Sequence, residues 1–384
     1  MIRAIHYATG GQIAISMEQG IITGIEAVPE AAPDKDALPI AAPGLVDLQI
    51  NGYAGLDFNQ LPMPESLLSD AVTRLWSQGV TACYPTVITN RADVIHKLLG
   101  QIARACDEDP IAARGIAGIH LEGPFISPQD GARGAHALEY VMAPDWELFC
   151  RWQEAAGGRI GIVTISPEWP GSASFIRSCA DSGVTVSIGH TSATPDQIRE
   201  AAQAGARMST HLGNGAHLML PRHPNYIWEQ LAQDMLSSCV IADGFHLPDQ
   251  VLKVVIKVKG KQAMLVSDAV SLSGLEAGTY TTHIGGQVVL TPEGRLHLAE
   301  NEKILAGSAQ MLLAGIEHLT GRGLAELAEA WDMASVRPAT VMKLPSAGGL
   351  EAGAPADLVL FRREGSRIRI EQTYKGGERV YSKS

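Results

Sequence analysis

The 384-residue sequence has few cysteines and no long hydrophobic run. Its five cysteines are odd in number, widely spread and never in a C-x-x-C spacing, so we expect neither a disulfide framework nor a zinc ribbon. The first residues, MIRAIHYATGG, lack a continuous apolar segment, and no stretch approaches the roughly 20 apolar residues of a membrane helix. These absences predict a reduced, cytoplasmic protein without a membrane partner.

Basic residues are in the minority, with 30 Lys and Arg against 41 Asp and Glu and a net charge of −11. This balance argues against a nucleic-acid-binding surface and against binding to anionic membranes. A small anionic substrate stays compatible with it, because a few local cations can overcome a distant field.

A repeated pattern of apolar strand, polar loop and amphipathic helix runs from Leu45 to about Val341. The pattern contains eight candidate strands, in the order LVDLQI, TACYPTVI, GIAGIHLEG, IGIVTISPE, VTVSIGHT, ARMSTHLG, SCVIADGFH and QAMLVSDAV. Eight such units in about 300 residues predict an α/β fold, a TIM-type (β/α)8 barrel.

Short strands at both chain ends predict a second, smaller unit. QIAIS and GIITGIEAV lie near the start, and ADLVLF and IRIEQTYKGGERVY lie near the end. We therefore expect a small β-sandwich domain built from residues 1–43 and 344–384, beside a barrel over residues 44–343. The segment GQVVLTPEGRLHLAEN predicts a hairpin inserted in the barrel at about 280–300.

Polar residues stand at the ends of five candidate strands: Glu122, His190, His211, His246 and Asp268. Because catalytic groups of a TIM barrel gather at the C-terminal ends of its strands, these side chains should converge.

One carboxylate and two imidazoles, from Glu122, His190 and His211, would make a three-ligand site with an open position for water, typical of catalytic zinc. Iron(II) would accept the same ligands. Asp268 could then exchange a proton with that water. His120, two residues before Glu122, is expected to lie one layer deeper and to support the site.

The first strand lacks the His-x-His pair that many metal-dependent hydrolases of the amidohydrolase superfamily have there. After Asp47, the two places hold Gln49 and Asn51. By itself, this substitution fits either a barrel that has lost its metal or one that needs fewer ligands.

Several longer motifs follow in a characteristic order: PGLVDLQINGYAGLDFN, HLEGPFIS, GARGAH, SIGHTSAT, THLGNGAH, IADGFHL, LVSDA and LAGS. Over about residues 43–310 the chain resembles N-acetylglucosamine-6-phosphate deacetylases, which belong to the amidohydrolase superfamily. Some members have Gln-x-Asn in place of His-x-His and use one divalent metal ion. The resemblance therefore implies a mononuclear site, with Zn2+ or Fe2+ held by Glu122, His190 and His211.

The resemblance also implies roles for further residues. Asp268 would be the general base and then the general acid, and His246 would hydrogen-bond the substrate and polarise its acetyl carbonyl. His136 would contact the sugar, Asn214 and the backbone of Gly215 would contact the phosphate, and Arg222 would reach the phosphate bound by a neighbouring subunit. A homodimer with shared sites follows from the last of these.

The implied reaction is hydrolysis of N-acetylglucosamine 6-phosphate to glucosamine 6-phosphate and acetate. The chain departs from the family after His211, where NGAHLML replaces a usual NAM, and after Arg222, where His223-Pro224-Asn225 replaces a usual Glu-Pro-Gly. The alternatives are a deacetylase of another N-acyl amino sugar (a galacto epimer or an unphosphorylated sugar), a non-catalytic sugar-binding barrel, or a deaminase or dihydroorotase-like enzyme. The retained Glu122, Asp268 and two imidazoles disfavour the non-catalytic sugar-binding barrel. The Gln-x-Asn strand and HLEGP disfavour the deaminase or dihydroorotase-like enzyme.

Overall fold

A parallel β-barrel forms the body of the protein in a computed structural model that describes residues 1–28, 38–282 and 286–383. The strands of these segments are β1 Ile2–His6, β2 Gln12–Glu18, β3 Ile21–Ala27, β4 Ile40–Pro43, β5 Leu45–Ile50, β6 Gly52–Tyr53, β7 Leu56–Asp57, β8 Val80–Ile88, β9 Ile119–Glu122, β10 Ile160–Ile165, β11 Thr185–Ile188, β12 Met208–Ser209, β13 Ser237–Val240, β14 Ala263–Leu265, β15 Gly278–Thr282, β16 Gly286–Leu290, β17 Leu296–Leu298, β18 Asn301–Leu305, β19 Leu358–Glu364, β20 Arg367–Lys375 and β21 Glu378–Ser382. The helices are α1 Leu67–Trp76, α2 Ala92–Glu108, α3 Pro110–Gly115, α4 Trp146–Ala155, α5 Ser172–Asp181, α6 Pro195–Ala204, α7 Tyr226–Ala232, α8 Asp249–Lys259, α9 Leu312–Gly321, α10 Leu327–Met333 and α11 Val336–Val341.

The barrel strands follow the order β5-β8-β9-β10-β11-β12-β13-β14, and each neighbouring pair is parallel. The two end strands approach each other just beyond β14, where Ile50 and Ala269 form a parallel bridge. The N–H of Asp268 also donates to the carbonyl of Gln49 at 2.9 Å. All eight predicted strands are present, and the predicted TIM-type barrel is confirmed.

The interior of the barrel is apolar in its N-terminal half and polar at its C-terminal rim. An apolar cluster combines residues from strands on opposite sides, including Leu48, Tyr84, Ile162, Met208 and Met264, so it must fill the inside. A much larger cluster lies between the strands and the helices around them. The polar rim therefore lies above a tightly packed apolar interior.

Helix α6 illustrates how local sequence sets the helix ends. Thr194 caps its start in a capping box with Gln197, Pro195 occupies the first turn, and Gly205 ends it at φ +126°. All three are residue types typical of helix starts and ends.

The strands of both chain ends pair into one separate seven-stranded sheet, in the order β21-β20-β19-β4-β1-β2-β3. The two ends meet where β19 runs antiparallel to β4. This sheet has its own apolar cluster, which includes Ile15, Ile22, Leu358 and Leu360. The predicted fold class is thus confirmed, while the exact domain limits at residues 43 and 344 stay a prediction.

The predicted insertion forms a four-stranded antiparallel sheet, β15-β16-β17-β18. Strands β16 and β17 are the expected hairpin, and its turn is closed by a hydrogen bond from Thr291 N to Arg295 O at 2.9 Å. The outer strands β15 and β18 were not predicted. Residues 283–285, inside the predicted span, lie outside the described residues. No helix in the described part of the chain is long and apolar enough to cross a membrane.

Candidate metal centre

Three side chains that follow or end strands β9, β11 and β12 converge at the C-terminal rim. Glu122 ends β9, and His190 and His211 follow β11 and β12 by two residues each. His211 Nε2 lies 3.0 Å from Glu122 Oε1, His190 Nε2 lies 3.2 Å from the same oxygen, and the two Nε2 atoms are 3.1 Å apart. All three residues are buried.

The spacing of these three atoms fits a divalent metal ion. Ligand atoms around tetrahedral zinc with bonds of 2.0–2.1 Å lie about 3.3 Å apart, close to the distances between these side chains. His190 Nδ1 donates to the carbonyl of Ala132 at 3.0 Å, which orients the ring so that its Nε2 faces the carboxylate. One buried carboxylate and two buried imidazoles, with ligand atoms this close together, form a donor set suited to a divalent cation.

Glu122 and the two imidazoles change one another's pKa values. Burial alone would raise the pKa of Glu122, but the two imidazoles hold it well below its ordinary value. Burial would lower the pKa of His211, yet the hydrogen bond and charge of Glu122 raise it. The carboxylate therefore keeps a negative charge where a cation would bind.

His136 lies beside this set. A ring nitrogen of His136 and the ligand atoms of Glu122 and His190 lie within 4.8 Å of one another. Its Nδ1 bonds the hydroxyl of Thr89 at 2.8 Å, and its ring stands edge-on to that of His190 at 4.5 Å. Burial and the nearby imidazoles lower the pKa of His136 to about 3. A neutral His136 at this place can contact a sugar, as predicted, or complete the ligand set.

Gln49 and Asn51 both donate amide hydrogens to carboxylates. Gln49 Nε2 donates to Glu122 Oε1 at 2.9 Å, and Asn51 Nδ2 donates to Asp268 Oδ1 at 2.8 Å. The residues that stand in place of two imidazoles thus orient a predicted ligand and the predicted general base.

Asp268 lies beyond the end of β14 with its carboxylate close to the predicted ligands. Burial and the charge of Glu122 raise the pKa of Asp268 to about 6, while His211, His246 and the Asn51 hydrogen bond act in the opposite direction. A carboxyl group with a pKa near neutrality can both accept and return a proton.

His246 is oriented by its own loop. Its Nδ1 bonds Asp243 Oδ2 at 2.7 Å, and Asp243 Oδ1 accepts the N–H groups of Phe245 and His246 at 2.9 Å each. Burial would raise the pKa of Asp243, but the bond to His246 lowers it. The aspartate therefore fixes the imidazole so that Nε2 can face a substrate.

His120 lies in β9, two residues before Glu122. Its Nδ1 donates to the carbonyl of Leu48 at 2.9 Å, and its Nε2 bonds Thr164 Oγ1 at 2.7 Å. Burial lowers the pKa of His120 to about 4. Both ring nitrogens are engaged, which is typical of a support and not of a metal ligand.

The segment after His211 combines a site-facing start with an exposed end. Asn214 Nδ2 donates to the carbonyl of His211 at 3.3 Å, whereas Arg222 is exposed. Leu218 and Met219 are 99% and 86% exposed. His217, in the part that departs from the family, bonds the hydroxyl of Tyr226 through Nδ1 at 2.9 Å and Gln129 Oε1 through Nε2 at 3.2 Å.

Comparisons with known proteins agree with this geometry. The profile described as "Amidohydrolase family" matches residues 40–380. The chain belongs to the amidohydrolase family. The N-acetylglucosamine-6-phosphate deacetylase of Bos taurus is 34% identical over 355 residues, which cover 89% of this chain and 83% of that protein.

Two solved structures from Mycobacterium smegmatis are also similar. The N-acetyl-D-glucosamine-6-phosphate deacetylase superposes with a TM-score of 0.86 and 26% identity over 99% of each chain. An aspartate-to-alanine mutant of that enzyme, in complex with N-acetyl-D-glucosamine-6-phosphate, gives a TM-score of 0.84 and 27% identity over 97% of this chain and 94% of that one. The predicted resemblance to these deacetylases is confirmed.

This amidohydrolase has a strained backbone at three of its site residues. His190, His211 and Asp268 have φ values of +47°, +25° and +47°. Residues other than glycine rarely adopt positive φ, and such strain clusters at functional sites. Sequence patterns carry no signal for it, because each of these conformations is imposed by the loops that pack around the rim.

Two loop glycines, Gly134 and Gly215, leave room for the His190 ring. A Cβ at Gly215 would lie 2.5 Å from His190 Nδ1, and one at Gly134 would lie 3.1 Å from its Cε1. The sequence alone predicts no role for Gly134, since loop glycines are frequent in this chain. Asp243 was missed as well, although its Asp-x-x-His spacing to His246 was a usable signal.

Proposed function

We propose that this chain hydrolyses the N-acetyl group of N-acetylglucosamine 6-phosphate, giving glucosamine 6-phosphate and acetate. The observation that carries the proposal is the convergence of Glu122, His190 and His211 within 3.2 Å of one another at the barrel rim. The names of the relatives support the substrate.

In this proposal Glu122, His190 and His211 hold one divalent metal ion. When bound, such an ion polarises a carbonyl and lowers the pKa of water. Gln49 keeps the Glu122 carboxylate directed at the ion through its amide hydrogen. We propose Zn2+, because one carboxylate and two imidazoles are typical of catalytic zinc; Fe2+ accepts the same donors.

Asp268 is the proposed proton carrier. As a carboxylate it accepts a proton from the attacking water, and it then returns that proton to the amine that leaves. Asn51 holds Oδ1 of Asp268 through one hydrogen bond, which leaves Oδ2 to exchange the proton. His246, held at Nδ1 by Asp243, directs Nε2 at the acetyl carbonyl. There it stabilises the negative charge that develops on the carbonyl oxygen.

We assign the sugar to His136 and the 6-phosphate to Asn214 and the backbone of Gly215. Arg222 is exposed on a segment with exposed Leu218 and Met219, which supports a role across a homodimer interface. Light scattering coupled to size-exclusion chromatography tests the dimer: a monomer at micromolar concentration would exclude the shared site.

We also propose a cytoplasmic location. All five cysteines are free, which is usual in a reducing compartment. Fractionation of cells that produce the tagged protein tests this directly.

Acetate release by purified, metal-quantified protein tests the proposed reaction. The substrates are N-acetylglucosamine 6-phosphate, the unphosphorylated sugar and N-acetylgalactosamine 6-phosphate, each with and without prior metal removal. We expect the phosphorylated gluco sugar to be preferred and chelation to abolish turnover.

The alternative is a different N-acyl amino sugar, favoured by the changed segment around His217 and Tyr226. Turnover of the galacto or unphosphorylated sugar without turnover of the gluco phosphate would select it. Metal binding without acetate release from any of the three would favour a sugar-binding barrel.

A further inference from the structure

Glu168 is a half-buried carboxylate that lies outside the set of proposed catalytic and metal-binding residues. It follows β10 by three residues and accepts four hydrogen bonds. Ser127 Oγ donates to Oε1 at 3.0 Å, and Ser166 Oγ donates to Oε2 at 2.6 Å. Ser192 donates to Oε2 twice, from its backbone N–H at 2.8 Å and from its hydroxyl at 2.6 Å.

The donors come from three neighbouring loops of the rim. Ser127 follows β9, which ends with Glu122; Ser166 follows β10; and Ser192 is two residues after His190. The hydroxyl oxygens of Ser127 and Ser192 lie 2.9 Å apart. Ser166 Oγ accepts from the Thr191 hydroxyl at 2.8 Å, because its own hydrogen goes to Glu168. We name this group of Ser127, Ser166, Glu168 and Ser192 the Glu168 clamp.

The clamp surrounds the strained backbone of His190. The carbonyl of His190 accepts the N–H of Ser127 at 2.8 Å, and Gly189 N donates to Ile165 O at 3.1 Å. Two residues after His190, the backbone N–H of Ser192 donates to Glu168. A residue at φ +47° keeps this conformation only when its surroundings hold it on both sides.

We propose that Glu168 is a positioning residue that holds His190 in the conformation in which its Nε2 faces Glu122 and His211. The inference rests on the proposed function, since it assumes that these three residues bind the metal. Glu168 itself contacts none of them directly; it acts through the backbone of residues 190–192.

The carboxylate matches the donors around it. Each of its oxygens accepts and neither donates, so all four hydrogen bonds can form at once. An amide has one accepting oxygen, so its NH2 group would face donors that the second carboxylate oxygen now binds, and a serine hydroxyl there would have to turn and accept. Glu168→Gln therefore removes the negative charge and reverses at least one hydrogen bond of the clamp, with almost no change in volume.

Zinc affinity of the Glu168→Gln variant, measured by competition with a chromophoric chelator, is the test. Loss of an outer partner of a metal ligand typically weakens metal binding 10- to 100-fold, and we expect a loss in that range. Glu200→Gln, an exposed carboxylate on α6, is the matched control and should bind zinc as the wild type does.

Two readouts separate positioning from plain structural support. Hydrogen exchange of the metal-free protein should become faster in residues 189–193 and stay unchanged in β5. The visible absorption of the Co2+-loaded variant should differ from that of the wild type, because the His190 ligand is displaced. A lower melting temperature with unchanged affinity, exchange and spectrum would overturn the proposal.

Ser192→Ala keeps the test decisive if Glu168→Gln does not fold. It removes the hydroxyl bond and leaves the backbone bond, so we expect about a 10-fold loss of zinc affinity; unchanged affinity would overturn the proposal.

A wild type that binds no zinc would instead refute the proposed function. A wild type that binds zinc and releases acetate, beside variants of unchanged affinity, would refute the positioning role alone.

Discussion

Two sides of the barrel rim differ in backbone conformation and in what their side chains contribute to the site. On the β5 side, Gln49 and Asn51 have ordinary backbone conformations and donate one amide hydrogen each to Glu122 and Asp268. On the β11–β12 side, His190 and His211 have positive φ and direct imidazole nitrogens at Glu122. The β5 side orients two carboxylates through hydrogen bonds, and the β11–β12 side supplies two of the three proposed ligands.

The difference indicates which side depends more on exact side-chain placement. A single amide hydrogen bond can be lost with a modest change in the pKa or orientation of its acceptor. A ligand on a strained backbone depends on everything that packs around it, including glycines and the Glu168 clamp. We therefore expect changes on the β11–β12 side to have larger effects than changes on the β5 side.

The largest effect should come from removing an imidazole. His211→Asn takes away one of three proposed ligands, so zinc affinity should fall by more than the ~100-fold that loss of an outer partner can cost. Acetate release should then equal that of metal-free protein. Metal content measured after dialysis checks this; a variant that keeps stoichiometric zinc would remove His211 from the ligand set.

Asp268→Asn should have the next largest effect and act on the rate alone. The amide oxygen can still accept from Asn51, but it cannot take a proton, and general acid–base catalysis contributes about 10²- to 10⁴-fold. We expect kcat to fall within that range while zinc content and melting temperature hold. Activity within a factor of three of the wild type would show that another group carries the proton.

Gly215→Ala should have an intermediate effect. The new Cβ would lie 2.5 Å from His190 Nδ1, so the ring must move, and zinc affinity should fall by about 10- to 100-fold. Gly323→Ala is the matched control, because Gly323 has φ +63° and open space around its Cβ position. Equal zinc affinity in the two variants would mean that His190 tolerates the displacement.

Asn51→Ala should have the smallest effect, visible in the pH profile. The donor stabilises the charged form of Asp268, and Glu122, His211 and His246 also face that carboxylate. Loss of one hydrogen bond should raise the pKa of Asp268 by about 0.5–1 unit. Because the base must be deprotonated, the acid limb of kcat/KM should move to higher pH; movement to lower pH would reverse the assigned role.

Sequence patterns predicted the barrel well because its signals are local. Each of the eight strands is a mostly apolar run, polar candidate residues stand at or just beyond the ends of five of them, and Thr194, Pro195 and Gly205 define α6 by caps alone. The approach of Glu122, His190 and His211 followed from the common direction of parallel strands. Strands β15 and β18 were missed because β15 reads GTYTT and β18 NEKIL, which have little apolar character.

The finer structure of the site could not be predicted from patterns. Positive φ at His190 and Asp268 is a consequence of packing between loops distant in sequence. The contact of Gly215 with the His190 ring and the four hydrogen bonds of Glu168 likewise join separate loops. Such contacts depend on the assembled rim, which no local window of residues contains.

The metal content of the purified wild type tests the central claim most directly. We expect one divalent ion per chain by mass spectrometry of the metal, lost together with acetate release on chelation and restored by one equivalent of Zn2+. Two ions per chain would contradict the claim that Gln49 and Asn51 serve as hydrogen-bond donors in place of ligands, and activity that survives complete metal removal would contradict the proposed site itself.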